Sequence, residues 1–171
     1  MRRIPPQMVR PTIAKHMLAD GFELVLDLRK SHGSWVHDSQ SNRDFLDLFS
    51  FFGSLPLGMN HPRLMEPEFM KFLAEVAVNK PSNSDFYTEE MAVFVDTFAE
   101  TAIPKSHPYL FFVDGGALGV ENALKAAFDW KVRKNLAAGR GEIGSRVIHF
   151  KHAFHGRTGY TLSLTNTADP R

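Results

Sequence analysis

Cysteine is absent from the 171-residue chain, which excludes a disulfide framework and any thiolate-bound metal. A surplus of one charge is absent too. Twenty lysines and arginines stand against nineteen aspartates and glutamates, a formal net charge of +1, so no global field draws the protein to nucleic acid or anionic lipid. Any charged ligand has to be held locally. Long apolar runs are also missing: nothing reaches the roughly 20 apolar residues of a membrane helix. The basic, proline-containing start, Met1 to Thr12, lacks the apolar centre of a secretory signal. These absences fit a protein of a reducing cytoplasm that binds neither nucleic acid nor membrane. What is present is an ordinary globular composition, 43% hydrophobic and 23% charged, in a chain long enough for one buried core. The sequence given ends at Asp169-Pro170-Arg171, just after an apolar segment, and reads without a closing helix or polar tail there.

Residues Glu23 to Leu28, Ser34 to His37 and Arg43 to Phe49 are short apolar runs separated by His32-Gly33 and by Asp38 to Asn42. Turn residues between such runs predict a three-stranded antiparallel meander. From Leu64 to Val78 the spacing is helical, with Asn60 placed to cap it, Pro62 to open it, and Pro67 either in the first turns or breaking them. Thr88-Glu89-Glu90 precedes an apolar stripe at Met91, Phe94, Val95 and Phe98, which predicts a helix start. Tyr109 to Val113 is a continuous apolar run of the kind found in strands covered on both faces, and Arg146 to Phe150 reads as a second buried-type strand. Between them Val120, Ala123, Leu124, Ala127 and Phe128 repeat at helical spacing, with Glu121/Lys125 and Asp129/Arg133 as i,i+4 pairs and Gly139 and Gly141 as the stop. Residues 109 to 150 therefore read as a βαβ unit. The predicted organisation is an N-terminal segment and meander over 1–60, linking helices over 61–105, and the first part of an α/β domain over 106–171.

A strand that ends in Asp114-Gly115-Gly116-Ala117 and opens a helix presents unpaired N–H groups at the positive end of the helix dipole, a place for an anion. A tight turn that binds nothing is the equal alternative from this feature alone. A Walker loop is excluded, since Val120-Glu121 follow Gly119 where lysine and serine or threonine are needed. A dinucleotide fingerprint is excluded by Asp114. After the second run, Lys151-His152-Ala153-Phe154-His155-Gly156-Arg157 stands where open α/β sheets place ligands, so the two loops are expected to be neighbours. Phe154 offers an aromatic face and Arg157 a fork for a carboxylate; a core phenylalanine and a surface arginine are the plainer alternatives. His152 and His155 lack a third ligand for zinc.

These residues resemble a family. Phe111 to Lys125 resembles the phosphate-binding strand, turn and helix of class III aminotransferases, and Phe154-His155-Gly156-Arg157-Thr158 resembles their cofactor-stacking loop. Leu57-Gly58-Met59-Asn60-His61-Pro62 resembles the family's N-terminal signature. Within the family, the double glycine before alanine, the run Asn122 to Lys131 and the segment Lys80 to Asp85 are most similar to lysine 6-aminotransferases. The resemblance implies an α/β fold: the start of the large domain of fold-type I pyridoxal-phosphate-dependent transferases, preceded by a small antiparallel subdomain. It implies that Gly116 and Ala117 hold the phosphate of pyridoxal 5'-phosphate, that Phe154 stacks on its ring, and that Arg157 pairs with the α-carboxylate of L-lysine. Phe52 and Gly53 would lie at the substrate pocket. The implied reaction moves the ε-amino group of lysine to 2-oxoglutarate in a cytoplasmic homodimer.

Three departures bear on this reading. Gly115 stands where many members carry serine, and Gly119 where alanine is usual, which weakens the helix start by up to about 1 kcal/mol. Phe52 is bulky for a pocket wall, so an ornithine-type or 4-aminobutyrate-type donor stays open. The family's Schiff-base lysine has no counterpart in context here, so residues 1–171 alone are expected to be inactive, whether as part of a longer enzyme or as a truncated remnant. An unrelated anion-binding α/β module is the remaining alternative.

Overall fold

The computed structural model describes residues 3–82 and 84–168. They form two compact units, Met1–Val93 and Phe94–Arg171. Asn83, within the segment similar to lysine aminotransferases, and the terminal Asp169-Pro170-Arg171 lie outside the described residues.

The first unit opens with a helix, α1 (Pro6–Ala14), unforeseen in the basic, proline-containing start. Pro6 occupies the first helical turn, where its missing N–H costs nothing. Arg10 ties the helix to the following chain, donating to Ala19 O at 3.1 Å and pairing with Glu23 at 3.3 Å.

The meander is a two-stranded hairpin rather than three strands. β1 (Trp35–Asp38) runs antiparallel to β2 (Arg43–Leu46), with Trp35 opposite Leu46 and Asp38 opposite Arg43. The expected strand at Glu23 to Leu28 is reduced to one bridge, Leu26 to Asp38. Side chains take over from the ladder on either side of it. The Asp38 carboxylate accepts the Val25 N–H at 2.7 Å, and the Asp27 carboxylate accepts those of Arg29 and Lys30 at 2.9 and 3.0 Å, bending the chain away. Asp38 also accepts the N–H groups of Gln40 and Ser41, at 3.1 and 2.9 Å, which closes the hairpin. These hydrogen bonds, foremost the Ser41 hydroxyl and then Val25, hold the Asp38 carboxyl well below the usual carboxylate range.

Asn60 does not cap the next helix. It sits at φ +50°, and its amide donates to Leu28 O at 2.7 Å and Ser31 O at 2.6 Å, binding the loop to the hairpin base. Pro67 divides the predicted 64–78 helix, because the residue before a proline is driven out of the helical region. Pro62–Met65 is a 3-10 turn, Glu66 is extended, and α3 (Pro67–Ala77) starts afresh. α4 (Glu89–Thr101) begins as predicted, with the Met91 N–H donating to Thr88 Oγ1 at 3.1 Å ahead of Glu89 and Glu90.

In the second unit α5 (Gly116–Ala137) matches its predicted course, and the chain leaves it through Gly139 at φ +69°. The Asp129–Arg133 pair forms at 2.8 Å and Glu121–Lys125 at 3.9 Å. Buried Asn135 secures the exit, donating to Ile143 O at 2.6 Å and accepting from Arg140 at 2.9 Å. The apolar segment near the end contains α6 (Gly159–Leu164), whose Tyr160 meets Phe128 of α5 edge-on at 5.9 Å.

The two buried strands of the predicted βαβ unit are not formed. Tyr109 to Val113 and Arg146 to Phe150 carry no regular secondary structure, with Tyr109 92% exposed and Ile148 fully exposed. A strand needs neighbours for its main-chain groups, and none pairs with either segment among the described residues. Phe112 alone finds company in the first run, against Phe94 and Phe98 at 5.3 and 5.8 Å between ring centres. The expected core is equally thin. Met59 is the one buried hydrophobic side chain among the described residues. The chain exposes 14570 Å², against roughly 8,500 Å² for a folded monomer of its mass. No helix among the described residues is long and apolar enough to cross a membrane.

Candidate functional site

The start of α5 presents main-chain amides to open space. Gly115 turns the chain at φ +88°, a region that other residues enter only with strain. The Gly119 N–H donates to Gly115 O at 3.1 Å, so the amides of Gly116, Ala117 and Leu118 precede the first intrahelical bond. No side chain caps this turn among the described residues. A Cβ built on Gly115 or Gly116 would meet nothing within 4 Å, so space is open beside the donors. Free N–H groups, the positive end of a 22-residue helix and open room suit a phosphate monoester.

The second loop folds directly onto this turn. Gly156 is buried at φ +116°. A Cβ added to it would collide with the Ala117 Cβ and lie 2.9 Å from the Ala117 Cα and 3.0 Å from Thr161 Oγ1. The two loops are neighbours, as their places after the two apolar runs imply. Phe154, 58% exposed, carries the Arg157 guanidinium 5.8 Å from its ring centre, so a planar face and a charged fork stand side by side. His155 turns its ring edge-on to His149 at 6.5 Å.

Thr158, quoted in the motif, and Thr161 and Thr165, which sequence reasoning passed over, fix this loop. The Thr158 N–H donates to Thr161 Oγ1 at 3.0 Å, and the two hydroxyls lie 2.9 Å apart in a reciprocal capping box at the start of α6. Thr165 Oγ1 accepts the His155 N–H at 2.9 Å and donates to Gly156 O at 2.7 Å. The spacing Thr158-x-x-Thr161 after a glycine was the available signal, masked because the usual box has glutamate or glutamine in third place.

Phe52 and Gly53 belong to the first unit. Ser50 to Gly53 form a left-handed turn, α2 (Ser50–Gly53), with Ser50, Phe51 and Phe52 at φ +47°, +49° and +58°. Left-handed backbone costs a non-glycine residue roughly 1–2 kcal/mol, and strain of this kind gathers at functional sites. Phe49 packs against Phe52 at 4.5 Å and Phe51 at 5.9 Å, yet Phe52 remains 93% exposed.

A glycine turn with open amides and a loop carrying an aromatic ring and a guanidinium thus lie together through Gly156 and Ala117. The family Aminotransferase class-III matches residues 18–170, and the chain belongs to it. Among individual relatives, it is 52% identical over 168 residues to the L-lysine-epsilon aminotransferase of Mycobacterium tuberculosis strain H37Rv, covering 97% of this chain and 37% of that protein. Identity to the L-lysine-epsilon aminotransferase of Amycolatopsis lactamdurans is 54% over 163 residues, covering 95% and 36%. The 4-aminobutyrate aminotransferase of Schizosaccharomyces pombe is 29% identical over 173 residues, covering 91% and 36%. The solved lysine aminotransferase of M. tuberculosis in the internal aldimine form superposes with a TM-score of 0.88 at 52% identity, over 95% of this chain and 38% of that one. The chain spans little more than a third of the length of these relatives.

Proposed function

We propose that this segment is the N-terminal part of an L-lysine 6-aminotransferase that uses pyridoxal 5'-phosphate. The observation that carries it is the gap between 52–54% identity to proteins named lysine aminotransferases and 28–29% to 4-aminobutyrate aminotransferases. The reaction converts lysine to 2-aminoadipate 6-semialdehyde and 2-oxoglutarate to glutamate. When bound, pyridoxal phosphate supplies the carbonyl that exchanges amines and a ring that delocalises negative charge.

The residues of this chain bind and orient. The N–H groups of Gly116 and Ala117 hold the phosphate at the helix end, where the dipole favours a dianion. Phe154 covers one ring face and excludes water from it. Arg157, beside Phe154, pairs with the α-carboxylate of lysine, so that the distant amine is the one presented to the carbonyl. Phe52 and Gly53, in the first unit, are assigned to the substrate by the family resemblance alone. A homodimer is what the family resemblance implies, and the composition supports a cytoplasmic location. In the remaining sheet of the large domain, Tyr109 to Val113 and Arg146 to Phe150 become covered strands.

The test uses the full-length protein with pyridoxal phosphate and 2-oxoglutarate, measuring glutamate formed from lysine, ornithine and 4-aminobutyrate. Lysine is expected to give the highest kcat/KM. A higher value for either other donor removes the lysine assignment.

A further inference from the structure

We infer that Thr161 is a positioning residue for the cofactor site, its hydroxyl setting how closely the Phe154–Arg157 loop approaches the start of α5; this rests on the proposed pyridoxal phosphate site. Thr161 is fully buried, the least exposed residue described. Its hydroxyl faces back toward the loop: it accepts the Thr158 N–H at 3.0 Å, lies 2.9 Å from the Thr158 hydroxyl and 3.3 Å from Thr158 O. The Cβ direction of Gly156 points between Thr161 Oγ1 and Ala117. Thr161 Oγ1 and Ala117 therefore flank the space that a Cβ on Gly156 would take, and Ala117 carries one of the amides assigned to the phosphate. Phe154 lies two residues before Gly156 and Arg157 one after it, so a shift of Gly156 displaces the ring face and the guanidinium together. Packing this tight transmits small displacements rather than absorbing them, and a site loosened by a fraction of an ångström loses much of its precision.

In the full chain, Thr161→Ala and Thr161→Val remove the hydroxyl, whereas Thr161→Ser keeps it. Pyridoxal phosphate binding is read by visible absorbance during titration and by the rate of release on dilution, beside the melting temperature of the cofactor-free protein. Thr161→Ala and Thr161→Val are expected to lose about tenfold in cofactor affinity, equivalent to about 1.4 kcal/mol, with Thr161→Ser close to the parent. Unchanged affinity in Thr161→Ala, or equal losses in the alanine and serine variants, overturns the inference and leaves the proposed function standing. A parent protein that does not bind pyridoxal phosphate overturns both. If Thr161→Val fails to fold, the alanine and serine pair decides, since neither adds bulk.

Discussion

Gly156 stands over Ala117 so closely that a Cβ on the glycine would occupy the space of the alanine's own. Gly156→Ala therefore meets two penalties, a φ of +116° that alanine resists and a clash with Ala117. Together they are expected to destabilise the full-length protein by on the order of 3 kcal/mol, read as a shift of its urea midpoint. Adding Ala117→Gly should return part of the loss, because the two sites share one contact. Additive effects in this double-mutant cycle would refute the close approach.

Residues 1–171 expressed alone are expected to associate rather than remain monomeric, and to lack transaminase activity. One buried apolar side chain against many exposed large ones leaves little to hold the chain together and much to attract another copy. None of the lysines of residues 1–171 stands in a context like that of the family's Schiff-base lysine. Light scattering should report heterogeneous particles, and glutamate production from lysine should match a no-protein control. A monodisperse monomer with a sharp thermal transition would contradict the first expectation, and glutamate above the control the second.

Local patterns carried the helices well and the sheet badly. Thr88-Glu89-Glu90, the 120–128 stripe and Gly139 each fix their own turn through nearest neighbours, so α4 and α5 appear where their residues place them. The runs at 109–113 and 146–150 have the composition of covered strands, but a strand exists only with partners, and neither has one among the described residues. The third meander strand was lost to side-chain carboxylates, Asp27 and Asp38, which no period-two pattern reveals. For the site, the glycine turn and its neighbouring loop were legible because glycines mark close approach. The threonine clamp and the left-handed turn at Ser50 to Gly53 were not, since three non-glycine residues there adopt backbone that their side chains disfavour.

Acid should loosen the first unit through Asp38. Its folded pKa is depressed, so its stabilisation is present above the unfolded value of about 3.9 and is lost as pH falls through the folded value. Asp27 is shifted in the same direction by the N–H groups of Lys30 and Arg29. Urea stability of the full chain should hold from neutral pH to about pH 5 and decline below about pH 4. Asp38→Ala should cost about 2 kcal/mol at neutral pH, the worth of hydrogen bonds to a charged group, and flatten the acid decline. An unaltered acid slope in Asp38→Ala would assign the decline to other carboxyls.

Arg157→Ala in the full-length protein should weaken lysine far more than it weakens the cofactor. A guanidinium and a carboxylate make two charge-assisted hydrogen bonds, and alanine leaves the carboxylate without a partner in a partly dry pocket. Loss of such a pair costs on the order of 2 to 5 kcal/mol, or roughly 30- to several-thousand-fold in kcat/KM. Pyridoxal phosphate affinity should change little, since the Gly116 and Ala117 amides remain and Phe154 loses only a cation beside its ring. Arg157→Lys should recover part of the loss, because an ammonium cannot reproduce the planar fork. The informative comparison is lysine against cadaverine, which has the same reacting amine and no α-carboxylate. Arg157→Ala should depress kcat/KM for lysine and leave that for cadaverine nearly unchanged; equal losses on both would mean that Arg157 acts on the loop or the cofactor, and the carboxylate would need another partner.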